Sequence, residues 1–155
     1  QNIISFMGNL FTIKFSENNS EKVVFEKGIC WVRPVTFDPK DIRKTLITWL
    51  KRFAEAEILR RTQEWSKRME TNFGTVRFGQ QSSRWGSCTH DNNLKFNWRL
   101  IHFPVEVIDY VVIHELAHTK HHDHSDRFWN LVAQYCQSWK EQRKFLKRQM
   151  VAKEI

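Results

Sequence analysis

"VIDYVVIHELAHTKHHDH", residues 107–124, is the stretch whose reading decides the fold. Val105, Val107, Ile108, Val111, Val112, Ile113, Leu116 and Ala117 cover most of a helical circumference, as in a helix buried at the centre of a domain. Pro104 opens this helix, and the spacing predicts that it runs to about His121. Polar residues inside it need a chemical reason. His114 and His118 are four apart, so they project from nearly one face, about 6 Å apart along the axis, and both imidazoles can converge on one cation. Glu115, rotated by about 100° from His114, is carried off the ligand position and toward a water that the cation would hold, as a zinc hydrolase requires. A lone histidine here would read as a neutral, hydrogen-bonded core residue; a pair bracketing a glutamate reads as metal chemistry.

Catalytic zinc usually has three protein ligands and an open fourth position, so a third donor must come from outside the pair. His121 shares the helical face but lies about 10 Å up the axis from His114 if the helix continues, too far for a common ion. His124, past the expected helix end, can fold back and is the expected third ligand, with Asp126 and Asp123 as rivals. His121, His122 and Asp123 read as surface residues or supports behind the ligands. Three imidazoles leave Zn²⁺ its double charge, which acidifies water and polarises a carbonyl. Glu115 would accept water's proton and return it to the leaving amine. For the partner of the developing oxyanion, Arg84, Tyr110 and His121 all stand open.

Outward from this helix the pattern is α+β. Residues 3–15 and 23–25 are rich in β-branched and aromatic types around "SENNSE", which predicts a hairpin or two edge strands. "TFDPKDI" sets Asp38 as N-cap, with Pro39 at the first helical position. Ile42, Leu46, Trp49, Leu50 and Phe53 repeat behind it, so a helix is expected to about Met69, ending before Gly74. "TVRFGQQSSRWGSC" and "NLKFNWRL" read as paired antiparallel strands joined by "THDNN", with Gly79 and Gly86 as bulges or points of close backbone approach. After "HHDHS", where Ser125 or Asp126 can cap, "RFWNLVAQYC" and "SWKEQRKFLKRQM" predict two further helices.

The chain's 155 residues, 41% hydrophobic and 14% aromatic, suit one domain with a real core, expected to span residues 1–155. Three widely spaced cysteines, Cys30, Cys88 and Cys136, fit reduced thiols in the cytoplasm better than a secreted disulfide framework, and no CxxC zinc motif is present. Cys88 reads as a buried structural thiol. No apolar run approaches the roughly 18 residues needed to span a bilayer, so no membrane partner is expected. The start at Gln1 rather than methionine reads as the C-terminal part of a longer chain. The net charge of +8 is concentrated toward the last helix, which reads first as a solvated face and second as a contact for phosphates or an acidic partner. Spacing carries no information on oligomeric state.

Four separated motifs, "RWGSC" (84–88), "NWRL" (97–100), "VIDYVVIHELAH" (107–118) and "HSDRFW" (124–129), together resemble the YgjP-like metal-dependent hydrolases, relatives of the SprT and WLM zinc metallopeptidases. Metzincins share HExxH with a third histidine but place glycine where this chain has His121. The resemblance implies a zincin-like domain with a small antiparallel sheet beside the HExxH helix, His114, His118 and His124 as zinc ligands and Glu115 as the catalytic base. It also implies more sequence before Gln1. "CTHDNN" lacks the glycine often found in the family's hairpin turn. In zincins an edge strand often binds substrate backbone by strand addition, and "SSRWGSC" is the candidate here. Arg84, Trp85, Gly86 and Tyr110 are the candidate substrate contacts, Gly86 by letting a peptide come close, while Trp85 and Trp98 read equally as core.

The leading expectation is a zinc metallopeptidase acting on polypeptide. One alternative is a metal-dependent nucleotide phosphoanhydride hydrolase, since YgjP-like proteins have been linked to nucleotide hydrolysis, but no GxxxxGK[ST] phosphate loop is present. The other is a DNA-associated, SprT-like protease, for which nucleic acid would be a partner. A purely structural zinc site is disfavoured by Glu115, because such a site closes all four positions and needs no base.

Overall fold

The computed structural model describes residues 2–18, 21–80 and 84–154. Two small sheets and four helices alternate in the order β1 (Ile3–Phe6), β2 (Asn9–Phe15), β3 (Val23–Glu26), β4 (Ile29–Val32), α1 (Pro39–Met69), β5 (Val76–Gly79), β6 (Gly86–Cys88), β7 (Leu94–Asn97), a 3-10 helix (Trp98–His102), α2 (Val105–His118), α3 (Asp126–Tyr135) and α4 (Trp139–Glu154). The α+β expectation holds.

The N-terminal region forms four strands where a hairpin or two edge strands were expected. Their order is β1-β2-β4-β3, with β2 and β4 parallel and the outer pairs antiparallel. Both antiparallel pairs are closed by two-residue turns, Met7-Gly8 and Lys27-Gly28, in which every central residue has positive φ, the requirement of the primed hairpin turns. Phe6 and Phe25 stack at 4.1 Å on the face that meets Trp49 and Phe53 of α1. This docks the sheet on the helix.

Helix α1 begins as expected: the Asp38 side chain accepts from the Lys40 amide at 2.9 Å, and Pro39 occupies the first turn. Its buried positions, Leu46, Leu50, Ala54, Ile58, Thr62, Ser66 and Met69, form one stripe at spacings of four and three, the face a straight helix can keep against a neighbour. Its neighbours are α2, the 3-10 helix and β4, and Arg61 of α1 reaches Asp109 of α2 at 3.0 Å.

The second sheet departs from the expected antiparallel pair. Its order is β5-β7-β6: β6 is antiparallel to β7, but β5 is parallel to it, so "TVRFG" and "RWGSC" are separate strands on opposite sides of β7. Ser82 and Ser83 of the proposed substrate strand lie outside the described residues. "NWRL" is not strand beyond Asn97. The Asn97 side chain accepts from the Arg99 amide at 3.0 Å and caps the 3-10 helix that follows, the usual competition of asparagine with extended pairing. Trp98 and Trp85 are both core residues, each 5% exposed. No helix among the described residues is long and apolar enough to cross a membrane.

Candidate metal centre and active-site cleft

Helix α2 ends at His118, one turn short of the expected His121. The Thr119 hydroxyl donates to the Leu116 carbonyl at 2.6 Å, and the amides of Thr119 and Lys120 reach the carbonyls three residues back. The last turn tightens toward 3-10 geometry. This bend brings the His121 carbonyl back to His118, whose Nδ1 lies 2.9 Å from it. A carbonyl only accepts, so Nδ1 carries the proton and Nε2 is left with its lone pair free. Burial lowers the His118 pKa, which favours the neutral, ligating form. His121 therefore serves through its main chain, and its ring does not line the cleft.

The chain then turns so that His124 faces the pair. The ring centroids of His114 and His118 are 4.9 Å apart, those of His118 and His124 4.8 Å, and those of His114 and His124 5.6 Å. One ligand atom from each lies within 4.8 Å of the others, and among the described residues this is the single group of His, Cys, Asp and Glu so arranged. Asp123 and Asp126 are not in it. Asp123 accepts from the Ser125 amide, and Asp126 opens α3, with Ser125 at the N-cap position. Such a spacing of three imidazoles fits a divalent metal ion.

What fixes the rings comes from α3. Phe128, fully buried, stacks on the His118 ring at 4.2 Å and meets His114 and His124 edge-on. Trp129 stacks on His124 and is itself stacked on Trp139 at 4.2 Å. These supports were not singled out from the sequence; the signal was the "FW" pair at the buried edge of an amphipathic helix that follows His124.

Glu115 is 5% exposed, and its Oε2 lies 3.2 Å from His114 Nδ1. Gly86 of β6 faces it: a Cβ built there would stand 2.9 Å from Glu115 Oε2 and 3.0 Å from Val111 Cγ1. The missing side chain thus makes room for the glutamate as well as forming part of the cleft wall. The cleft, about 390 Å³, has the three histidines and Glu115 on one side and Arg84, Gly86 and Cys88 on the other.

Of the other sequence candidates, Trp85 packs edge-on against Phe103 at 4.9 Å, and Tyr110 lies 5.7 Å from the His114 ring with 4% exposure. Neither lines the histidine cleft. Burial pushes the Tyr110 phenol far above its ordinary value. Cys88, by contrast, does reach the cleft, but burial and then Glu115 push its thiol up to about 11, so it is no thiolate nucleophile. His122, read from the sequence as a surface residue or a support, lines the cleft and is held by Asn92 Oδ1 at 2.9 Å.

A carboxylate and three imidazoles are thus presented by one helix and its following loop, beside a small mixed sheet. Residues 1–149 match the family profile "YgjP-like, metallopeptidase domain", and the chain belongs to that family. It is a metal-dependent peptide hydrolase. Two solved metallopeptidase zymogens share the fold. Jannalysin of Methanocaldococcus jannaschii is 20% identical with a TM-score of 0.50, the match covering 63% of this chain and 97% of that one. Abylysin of Pyrococcus abyssi is 19% identical with a TM-score of 0.50, covering 62% and 93%. No curated protein matches the chain.

Proposed function

We propose that His114, His118 and His124 hold a zinc ion and that Glu115 is the general base in peptide-bond hydrolysis. The observation that carries this reading is the approach of the three imidazole donors to within 4.8 Å of one another with Glu115 buried beside them. Three nitrogen donors with room for a further ligand suit zinc among the common divalent ions. When bound, the ion supplies Lewis acidity, lowering the pKa of water and polarising the scissile carbonyl. Glu115 accepts the proton of the attacking water at its carboxylate and delivers it to the leaving nitrogen. The absent side chain at Gly86 leaves the space that this carboxylate occupies. Arg84, exposed on the opposite wall, is the candidate partner for the developing oxyanion.

The polypeptide reading is preferred to the nucleotide and DNA-linked ones because the family is a peptidase family. Three free thiols support a reducing, cytoplasmic setting. The test combines metal analysis with cleavage. Protein carrying one zinc per chain, His118→Ala and Glu115→Gln are each incubated with a complex mixture of denatured peptides, and new termini are read by mass spectrometry. Cuts made by the wild type alone, with zinc retained by Glu115→Gln and lost by His118→Ala, are expected. Loss of zinc from Glu115→Gln would make Glu115 a ligand and overturn its assignment as base.

A further inference from the structure

Beyond the histidine cleft, three further clefts adjoin one another and carry no acidic side chain in their lining, while a neighbour that shares Lys44 and Thr48 with the last of them is lined by Asp41. The first, about 250 Å³, presents Arg84 and Lys95 and shares Arg84, Gly86 and Ser87 with the histidine cleft. It ends at Gly79 and Asn97, and the second, about 540 Å³, starts at the next residues along the chain, Gln80 and Trp98. This second cleft runs between β1, β2 and α1, with Arg43, Lys51 and Arg99 around a floor of Ile4, Ile13 and Ile47. The third shares Arg43, Ile47 and Lys51 with it and adds Lys40 and Lys44.

The cations at the junction are held in place. Arg99 donates to the Gln80 carbonyl at 3.0 Å and lies 5.3 Å from the Trp98 ring centroid, with Lys51 Nζ 5.8 Å from the same ring. Farther on, Lys40, Lys44, Ile47 and Lys51 recur at spacings of four, three and four, one face of α1 over about 16 Å. The two halves of α1 differ in charge pairing. Arg60 and Arg61 in the second half are paired with Glu57, Glu64 and Asp109, whereas among the described residues Lys40, Arg43, Lys44 and Lys51 enter no ion pair. A long face of one sign attracts and orients anions.

We propose that this track is an exosite for polypeptides that carry an acidic stretch, binding the stretch along α1 and Arg99 while the adjoining chain enters the histidine cleft. The proposal rests on the peptidase reading of that cleft. The floor is aliphatic and the Trp98 ring is buried, so the track offers no exposed aromatic face on which nucleic-acid bases would stack. Carboxylates alternating with apolar side chains match its rim and floor.

The test uses zinc-loaded Glu115→Gln protein and a fluorescein-labelled sixteen-residue peptide of alternating Glu and Leu, read by anisotropy beside the same peptide with Gln for Glu. Tighter binding of the Glu peptide by about 10-fold is expected from several exposed ion pairs, and the triple variant Arg43→Glu, Lys44→Glu, Lys51→Glu should abolish the preference with its circular dichroism unchanged. In otherwise wild-type protein, an acidic tail on a neutral peptide substrate should lower KM at constant kcat, and the same triple substitution should remove that gain while cleaving the untailed peptide normally. Equal binding of the Glu and Gln peptides, a preference that survives the triple variant, or tighter binding of an oligothymidylate of equal charge would overturn the proposal. Binding of the acidic peptide without cleavage of any peptide by the wild type would overturn the peptidase reading and leave the docking track standing.

Discussion

Gly86→Ala tests the geometry of the site with one carbon atom. The new Cβ would stand 2.9 Å from Glu115 Oε2, 3.0 Å from Glu115 Cγ and 3.0 Å from Val111 Cγ1, each about half an ångström inside ordinary carbon contact. Val111 belongs to the buried stripe of α2 and cannot retreat, so the glutamate must yield. Its carboxylate is the mobile end of a side chain, but the Val111 contact remains when it moves, so the fold should lose about 1–3 kcal/mol, the usual cost of overpacking. Catalysis is less forgiving, because a misplacement of about 1 Å costs roughly 100-fold in rate. The expected result is a kcat lowered by roughly 30- to 100-fold with KM little changed and zinc content unaltered. Gly79→Ala is the control, since its Cβ meets only the flexible end of Lys95 and should leave kcat within about two-fold. Kinetics on one defined peptide, metal analysis and a urea melt of each variant decide it. A Gly86→Ala enzyme that is folded, zinc-loaded and as fast as the wild type would refute the placement of Glu115 as the proton acceptor.

Phe128→Ala removes the fully buried ring stacked on His118. It should cost about 3–5 kcal/mol in a denaturant melt and weaken zinc binding, while a loss below about 1 kcal/mol would mean that the ring is not a support. Burial pushes Glu57 up, but hydrogen bonds and charge from Arg60 and Arg61 outweigh this and hold its carboxyl below the ordinary 4.5. A depressed carboxyl stabilises the fold above the unfolded-state pKa and loses that contribution as pH falls through the folded-state value. The stability gap between wild type and Glu57→Gln should therefore be constant above about pH 5 and close below it; a gap independent of pH would count against the pairing. Chelation should abolish peptide cleavage and lower Tm by about 5–15 °C while circular dichroism at 25 °C stays native, because the histidine rings border the hydrophobic core, which extends from Val23 to Leu146, rather than making it up.

The convergence of His114 and His118 with Glu115 beside them was legible in the sequence because its geometry is local. A helical repeat places residues 114 and 118 on one face and 115 off it whatever the rest of the chain does. His124 was legible for a related reason: excluding His121 by distance left it as the histidine beyond the helix end. What the periodicity did not specify was where the helix would stop. That was decided by a threonine hydroxyl on the Leu116 carbonyl and an imidazole on the His121 carbonyl, hydrogen bonds that carry no repeat.

The sheets were less legible, and the reasons differ between them. In the N-terminal sheet the turns use Met7 and Lys27 at positive φ, where asparagine or aspartate would have marked a hairpin. The following glycine was visible, but the first turn residue gave no sign, and two strands merged into one. In the second sheet, alternation along β5, β6 and β7 identifies inward faces but is blind to direction, so a parallel neighbour looks like an antiparallel one until the chain is closed in space. The same blindness affected the substrate candidates. Trp85 and Gly86 are adjacent in sequence; the first packs on Phe103 while the second makes room for Glu115. A motif such as "RWGSC" therefore joins residues with different tasks: a charge on the cleft wall, a ring in the core and a space for Glu115. Mutations within it should separate into distinct phenotypes, with Trp85 variants failing in stability and Gly86 variants failing in kcat.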